Sequence, residues 1–284
     1  MRKFGLITNA YKDKDLHLTH QIADYIHKNG GEAICISERN GVILDYEQMD
    51  YSNIPEGLDC LMVLGGDGTL IRAATGTRKF HIPLIGVNLG TLGYLCELEE
   101  DTVFPAIERL MNEEYKIDER MMLQGRRPGA EHGKSALNDI VIHRTGDLSL
   151  LSLQVYVNGE FLTTYDADGV ILSTPTGSTG YNMSAGGPIV DPKARMILLT
   201  PINAHNLNSR SIVLSADDVI EIEMGSRRYQ KDEVACVSCD GDKIDLIKVG
   251  DRFVISRSKH IIQICKLNKR SFLEILSKKM GSYT

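Results

Sequence analysis

No apolar stretch of 18 or more residues runs through the 284-residue chain, so a membrane-spanning helix is not expected. A basic block is also missing, as is any interleaving of basic with aromatic side chains. With a formal charge of −6 at pH 7 and an isoelectric point near 5.8, nucleic acid is not expected as the main partner. The opening residues lack a signal-peptide layout and run directly into Lys3-Phe4-Gly5-Leu6-Ile7, which points to a cytoplasmic protein. Six cysteines (Cys35, Cys60, Cys96, Cys236, Cys239 and Cys265) sit mostly in apolar or strand-like surroundings, which suits reduced core thiols rather than a disulfide framework. Cys236-x-x-Cys239 has no second CxxC to complete a zinc site, and no histidine pair has metalloprotease spacing. A serine elbow and a Cys-His arrangement are absent too, which argues against a hydrolase. No protein residue is assigned as a metal ligand.

What is present has two periodicities. Residues 3–8 read as a strand; Leu18, Ile22, Tyr25 and Ile26 then recur at helical spacing until Gly30-Gly31, before a second strand at about 33–37. The apolar run Leu61-Met62-Val63 is a further strand, a helix is expected from near Thr69, and Pro83 to Val87 forms another short strand. Phe104, Ile107, Leu110 and Met111 mark an amphipathic helix. This succession predicts a three-layer, Rossmann-like α/β domain over residues 1–117. Beyond it, Leu151, Leu153, Val155 and Val157 alternate with polar residues, Asn158-Gly159 supplies a hairpin turn, and alternation returns at Ile220 to Met224 and at Phe253 and Ile255. A β-rich domain of antiparallel strands is therefore expected over 118–260. A C-terminal segment, 261–284, has a short helix at Phe272 to Leu276 that needs a surface to pack on, and it is expected to return to the first domain.

The chemistry concentrates in glycine-rich segments. Leu64-Gly65-Gly66-Asp67-Gly68-Thr69-Leu70 places one carboxylate among three glycines directly after an apolar strand. Small residues at a strand end let the backbone turn sharply, approach a phosphate and aim N–H groups at it. A carboxylate beside a polyphosphate is unfavourable unless it holds a cation or takes a proton from a hydroxyl, and both are kinase tasks. The spacing is neither a Walker loop nor GxGxxG. The inert alternative is a tight turn in which Asp67 bonds only to nearby backbone.

Three further segments join it. Gly86-Val87-Asn88-Leu89-Gly90-Thr91-Leu92-Gly93-Tyr94 centres three glycines around Asn88, and Asn138-Asp139 stands at the mouth of the apolar strand Ile140-Val141-Ile142. The run from Asp166 through Asp168 to Gly187, with Ser173-Thr174-Pro175-Thr176-Gly177-Ser178-Thr179-Gly180-Tyr181 inside it, holds more hydroxyls than an inert core element tolerates, because each buried hydroxyl demands a partner. Asp240-Gly241-Asp242 reads as a hairpin turn, with a cation site as the alternative.

Together these residues resemble the NAD kinase family over nearly the whole chain. Gly65-Gly66-Asp67-Gly68-Thr69 alone is shared with diacylglycerol-type lipid kinases and is similar to the phosphofructokinase loop; its combination with the other three segments is specific. The resemblance implies a kinase that moves the terminal phosphoryl group of ATP, or of polyphosphate, onto the 2′-hydroxyl of the adenosine ribose of NAD, with Asp67 as general base. It further implies that Gly66, Gly68 and Thr69 cradle the phosphates and that Arg72 adds positive charge, while Mg²⁺ is held chiefly by the donor phosphates. Asn88, in the second glycine loop, joins the nucleotide-binding residues, and Asn138 and Asp139 hold the adenosine portion and its ribose. Asp166 and Asp168 join the NAD-binding residues, with Asp168 accepting from the nicotinamide carboxamide. Thr176, Thr179, Gly180, Tyr181, Asn182, Met183 and Ser184 line the NAD pocket, and the chain assembles as a homodimer or homotetramer. Two residues depart from the family pattern: Asp139 where Glu is frequent, and Gly180 where Ala is frequent. Rival readings are a lipid or sphingoid kinase, which would need an apolar cleft, and a non-catalytic NAD-sensing module.

Overall fold

Strand β1 (Lys3–Thr8) is buried along nearly its whole length, and β3 (Cys60–Gly65) and β4 (Leu84–Asn88) are buried throughout. Such uninterrupted burial is what a parallel sheet covered on both faces requires. In the computed structural model, which describes residues 1–39, 41–45, 49–91, 93–146, 150–205, 209–226, 233–267 and 271–281, β2 (Glu32–Cys35), β1, β3 and β4 lie side by side in that order, all parallel. Phe4, Leu6, Met62, Leu64, Ile85 and Val87 face Leu18, Ile22 and Ile26 of α1 (His17–Lys28) and Val103, Ile107 and Leu110 of α3 (Val103–Met111). Helix α2 (Asp67–Thr77) buries Leu70, Ala73 and Ala74 against β3 and β4 from the opposite side, which completes three layers. Each large aliphatic side chain so buried contributes about 1.5–3 kcal/mol relative to exposure.

The chain divides into two compact units, Met1–Glu119 with Ile261–Thr284, and Arg120–His260. In the first, the C-terminal segment is tied down by polar contacts as well as packing. Buried Glu97 accepts from Lys266 Nζ at 2.8 Å and from the Leu267 amide at 3.1 Å, while Arg109 donates to the Leu267 carbonyl at 2.6 Å. Helix α4 (Phe272–Gly281) then sets Phe272 against the Tyr94 ring, with centroids 6.3 Å apart.

The second unit is antiparallel β. One sheet runs β12 (Ile212–Ser215), β11 (Met196–Ile202), β10 (Gly169–Ser173), β7 (Asp139–Arg144), β14 (Val234–Cys239), β15 (Asp242–Lys248). The other brings together β9 (Glu160–Ala167), β8 (Leu151–Val157), β13 (Ile220–Met224) and the start of β16 (Arg252–Lys266). β5 (Lys116–Arg126) and β6 (Lys134–Ala136) form a further antiparallel pair. Inward residues of both sheets, among them Ile140, Ile142, Leu153, Val155, Leu172, Leu199, Ile222 and Val237, make one core. The β8–β9 hairpin turns on Asn158 and Gly159, with φ of 52° and 83°, the paired positive values of a type I′ turn.

Candidate functional site

Because β1 is flanked by β2 on one side and β3 on the other, successive connections leave it in opposite directions. The C-terminal ends of β1 and β3 therefore form a switch point, where open α/β sheets take their ligands. Three loops meet there. Asn9 to Asp13 follows β1, Gly66 leads from β3 into α2, and the second glycine loop follows β4.

Gly66 is extended (φ −144°, ψ −173°) and serves as the N-cap, so the helix starts at Asp67 rather than near Thr69. This puts the carboxylate in the first helical turn, where the macrodipole favours negative charge. Asp67 Oδ2 accepts from the Tyr94 amide at 2.6 Å, and Oδ1 accepts from the amides of Leu95 (3.1 Å) and Cys96 (3.2 Å). The glycine at 93 permits this approach, since any Cβ there would overlap Asp67 Oδ1. Burial, together with the Asp67 charge, pushes the Cys96 thiol well up, so it stays protonated. Replacing Gly93 by alanine is expected to force carboxylate and loop apart and lower stability by about 2 kcal/mol, read as a reduced thermal midpoint; an unchanged midpoint would show that the loop relaxes freely.

Around this carboxylate lies a cavity of about 310 Å³ lined by Asn9, Lys12, Gly66, Asp67, Gly68, Thr69, Thr91, Gly93 and Lys279. The first N–H groups of α2 have no intrahelical acceptor and so serve as donors here. Thr69 is buried, with Oγ1 3.5 Å from Asn9 Nδ2 and its side chain packed where a Cβ on Gly65 would clash. Arg72, one turn further along α2, does not line the cavity. Asn88 ends β4. Its Nδ2 donates to the Gly90 carbonyl at 2.9 Å, its buried Oδ1 has no hydrogen-bond partner among the described residues, and it lines a separate 710 Å³ depression with Leu89, Gly90, Glu99, Glu100 and Asp101. Leu92 of this loop lies outside the described residues.

In the β unit, Asn138 and Asp139 are held by Asp240, whose carboxylate accepts from the amides of Leu137 (2.8 Å), Asn138 (2.7 Å) and Asp139 (3.2 Å). Asp240 is in a left-handed turn conformation (φ 49°), so the hairpin here is a bracket for the neighbouring dipeptide. Thr174 Oγ1 donates to the Leu137 carbonyl at 2.6 Å, and Gly177 packs so closely on the Asn138 carbonyl that a Cβ would collide with it. Asn138 Oδ1 is buried with no hydrogen-bond partner among the described residues. Asp139 is 6% exposed, and burial, with the nearby Asp240 charge, raises its pKa from the ordinary 3.8 to about 7. A Cβ on Gly180 would stand 3.2 Å from the Gly177 carbonyl, 3.4 Å from Asn138 Nδ2 and 3.9 Å from Asp139 Oδ2, so the glycine leaves open the space beside both side chains.

The remaining residues singled out from the sequence divide by environment. Thr176 is buried and accepts from Arg120 at 3.3 Å; Thr179 Oγ1 lies 3.5 Å from the Thr176 carbonyl. On the helical turn Tyr181–Ser184, Tyr181, Met183 and Ser184 are exposed, as a wall offered to a ligand would be. Asn182 is the exception. It has no exposed surface, donates to the carbonyls of Ser178 and Pro188 and accepts from Thr200 Oγ1, so it braces the segment from within. Asp168 is paired with Arg144 at 2.9 Å and accepts from Asn203 Nδ2 at 2.9 Å, which takes up two of its acceptor positions. Asp166 pairs across the hairpin with Ser152, and its carbonyl accepts from the His205 amide at 2.8 Å. Sequence reasoning missed Asn9, Lys12 and Lys279; nothing in their spacing marks them, because only the sheet order and the return of α4 bring them to the loop.

Both halves of the chain have counterparts among known proteins. Residues 4–115 match the ATP-NAD kinase N-terminal domain, and residues 137–267 match the ATP-NAD kinase C-terminal domain. The chain is 61% identical over 284 residues to NAD kinase of Agathobacter rectalis, covering 100% of each, and 37% identical to NAD kinase of Caldanaerobacter subterraneus subsp. tengcongensis, covering 99% of each. Among solved structures, yeast NADH kinase complexed with NADH superposes with a TM-score of 0.82 at 25% identity, over 99% of this chain and 88% of that one. An NAD kinase from Archaeoglobus fulgidus in complex with ATP shares the fold, with a TM-score of 0.76 at 20% identity over 97% of this chain and 99% of that one.

Proposed function

The chain belongs to the NAD kinase family, and from that premise we propose that it phosphorylates NAD to NADP, transferring the terminal phosphoryl group of ATP to the 2′-hydroxyl of the adenosine ribose. The observation that carries the reading is Asp67, held by three backbone amides at the head of α2 on the wall of a polar cavity. The ribose oxygen bonds to the terminal phosphorus, the bond from that phosphorus to the bridging oxygen breaks, and ADP leaves with the electron pair. Asp67 takes the hydroxyl proton. A free carboxylate lies roughly 10 pKa units below an alcohol, so proton transfer is late and most of the acceleration comes from position and electrostatics. Gly66, Gly68 and the α2 amides receive phosphate oxygens.

The cavity lining carries one carboxylate, and among the described residues no group of three or more His, Cys, Asp or Glu side chains is placed to hold a metal ion. That donor set fits a divalent cation such as Mg²⁺ bound chiefly through the donor phosphates, whose charge it neutralises. On the acceptor side, the unpartnered Asn138 Oδ1 and the carboxyl of Asp139 are acceptors for adenosine amino and hydroxyl donors. Tyr181, Met183 and Ser184 pack on NAD, and Asp168 keeps acceptor capacity for the carboxamide. Exposed Phe161 and Leu162 on the edge strand β9 suit assembly as a homodimer or homotetramer. No helix of the described residues is long and apolar enough to cross a membrane, and a cytoplasmic location accords with the dinucleotide substrate.

The purified chain with NAD, ATP and Mg²⁺ is expected to form NADP. Binding of NAD without NADP formation, with ATP or with polyphosphate, would replace the kinase by a sensing module. Phosphorylation of a diacylglycerol or sphingoid base in place of NAD would point to the lipid-kinase branch.

A further inference from the structure

We propose that Lys12 is the phosphoryl-clamping cation of this site, the side chain that takes the charge on the transferring group of the donor; the assignment rests on the kinase reading above. Lys12 projects from a turn that is fixed at both ends. Buried Asn9 bonds through its amide to the Leu64 carbonyl at the end of β3, accepts from the Tyr11 amide at 3.0 Å with Oδ1, and its carbonyl accepts from the Lys12 and Asp13 amides at 2.9 and 3.1 Å. Buried Asp13 caps α1, accepting from the Leu18 amide at 2.9 Å, the Thr19 amide at 2.9 Å and Thr19 Oγ1 at 2.7 Å. The lysine between these anchors is therefore delivered to a defined place by the backbone, even though its stem is exposed.

That place is the meeting point of the two glycine loops. A Cβ built on Gly66 would stand 3.0 Å from Lys12 Nζ, and one built on Gly90 would stand 3.3 Å from it. A side chain at 66 or 90 would press on the ammonium, so the two glycines leave room for it beside the N–H groups that open α2. It also lies near enough to the cavity wall to oppose the rise in the Cys96 pKa. Among the described residues Lys12 Nζ makes no hydrogen bond or ion pair, whereas Lys279, which lines the same cavity, is stationed 4.5 Å from the Tyr94 ring centroid. An ammonium with no carboxylate partner among the described residues, set close to Gly66 at the head of α2 and in the same cavity lining as the proposed base, matches a group whose negative charge is spread over three equatorial oxygens. Arg72 does not line the cavity, whereas Lys12 does. In the transfer step Lys12 remains protonated: the 2′-oxygen bonds to phosphorus, the bridging oxygen departs on ADP, Asp67 takes the proton, and Lys12 donates hydrogen bonds to the moving phosphoryl oxygens.

The test compares wild type, Lys12→Met, Lys12→Arg and, as a control for net charge, Lys14→Met, whose side chain sits on the exposed face of the next turn. Lys12→Met is expected to lose roughly 100-fold in kcat with ATP, with an unchanged thermal midpoint and unchanged NAD affinity, and to bind magnesium tripolyphosphate at least about tenfold more weakly by calorimetry. Lys12→Arg recovers part of both losses and Lys14→Met matches wild type. Lys12→Met turning over within threefold of wild type, or binding tripolyphosphate equally well, overturns the assignment while leaving the kinase reading intact. A wild type that makes no NADP overturns the kinase reading itself, and in that case the tripolyphosphate arm alone decides whether Lys12 binds phosphate. A variant with lowered midpoint and lost NAD binding would assign Lys12 a structural role instead.

Discussion

Asp67→Asn is expected to lower turnover by roughly 100-fold or more while NAD still binds. A carboxylate has about four acceptor positions, and backbone amides of Tyr94, Leu95 and Cys96 occupy three of them. These bonds fix the plane of the carboxylate and leave capacity for a hydroxyl approaching from the cavity. The asparagine keeps the size and can keep its oxygen toward Leu95 and Cys96, but its NH₂ then faces the Tyr94 amide, donor against donor. Two losses follow: an acceptor for the ribose proton, and part of the loop's anchorage. They separate experimentally, because loss of anchorage alone lowers the thermal midpoint without a rate penalty of this size. Steady-state rates beside calorimetric NAD binding and a melting curve make the comparison. Turnover within threefold of wild type would reduce Asp67 to a brace for the 94–96 segment, the inert alternative raised by its sequence context.

That alternative shows how far the residues alone reach. The apolar runs at 3–8, 61–64 and 84–87 and the helical spacing of Leu18, Ile22 and Ile26 were legible because burial on both faces of a parallel sheet leaves almost no polar position to confuse the pattern. The strict alternation from Leu151 to Val157 marked the antiparallel unit for the converse reason, one face in the core and one outside. The glycine loops announced themselves through composition. What stayed hidden depends on contacts between distant segments. Lys12 looks like any solvated lysine until β1 is placed beside β3. Asp240, in a sequence that reads as a hairpin turn, is a bracket only because β14 pairs with β7. Asn182 belongs to a run whose polar side chains all look ligand-facing, yet the partners that use it up, Ser178, Pro188 and Thr200, come partly from β11. Asp168 likewise meets Arg144 and Asn203 only across the sheet. Polar residues in a strand-to-loop run announce demand for hydrogen bonds, and the fold decides whether protein or ligand meets it.

On the proposed reading the Asp139 carboxyl is a case where that demand falls to the ligand, and stability and binding are then expected to depend on pH in opposite directions. Burial, with Asp240 close by, raises its pKa from 3.8 to about 7. A carboxyl whose folded pKa lies above its unfolded value binds more protons in the native state, so its contribution to stability is largest below about pH 4 and is lost as pH rises toward and through 7. At roughly 1.4 kcal/mol per unit, the loss is on the order of 4 kcal/mol. Asp139→Asn removes the ionisation, so at pH 8 the variant without ligand is expected to melt on the order of 10 °C above wild type, with the gap shrinking as pH falls to 4. Hydroxyl or amide donors of NAD favour the ionised form, so binding near pH 6–7 should release a proton and wild-type affinity should rise with pH across that window. Calorimetry in two buffers of different ionisation enthalpy counts that proton, and Asp139→Asn should show neither the release nor the rise. Equal proton release by both proteins, or a wild-type melting temperature that does not fall relative to the variant between pH 4 and 8, would mean that Asp139 is solvated or already paired in solution. The frequent glutamate at this position would then differ from Asp139 in reach alone, whereas a measured release would show that the shorter side chain remains in the low-dielectric site and relies on NAD for its hydrogen bonds.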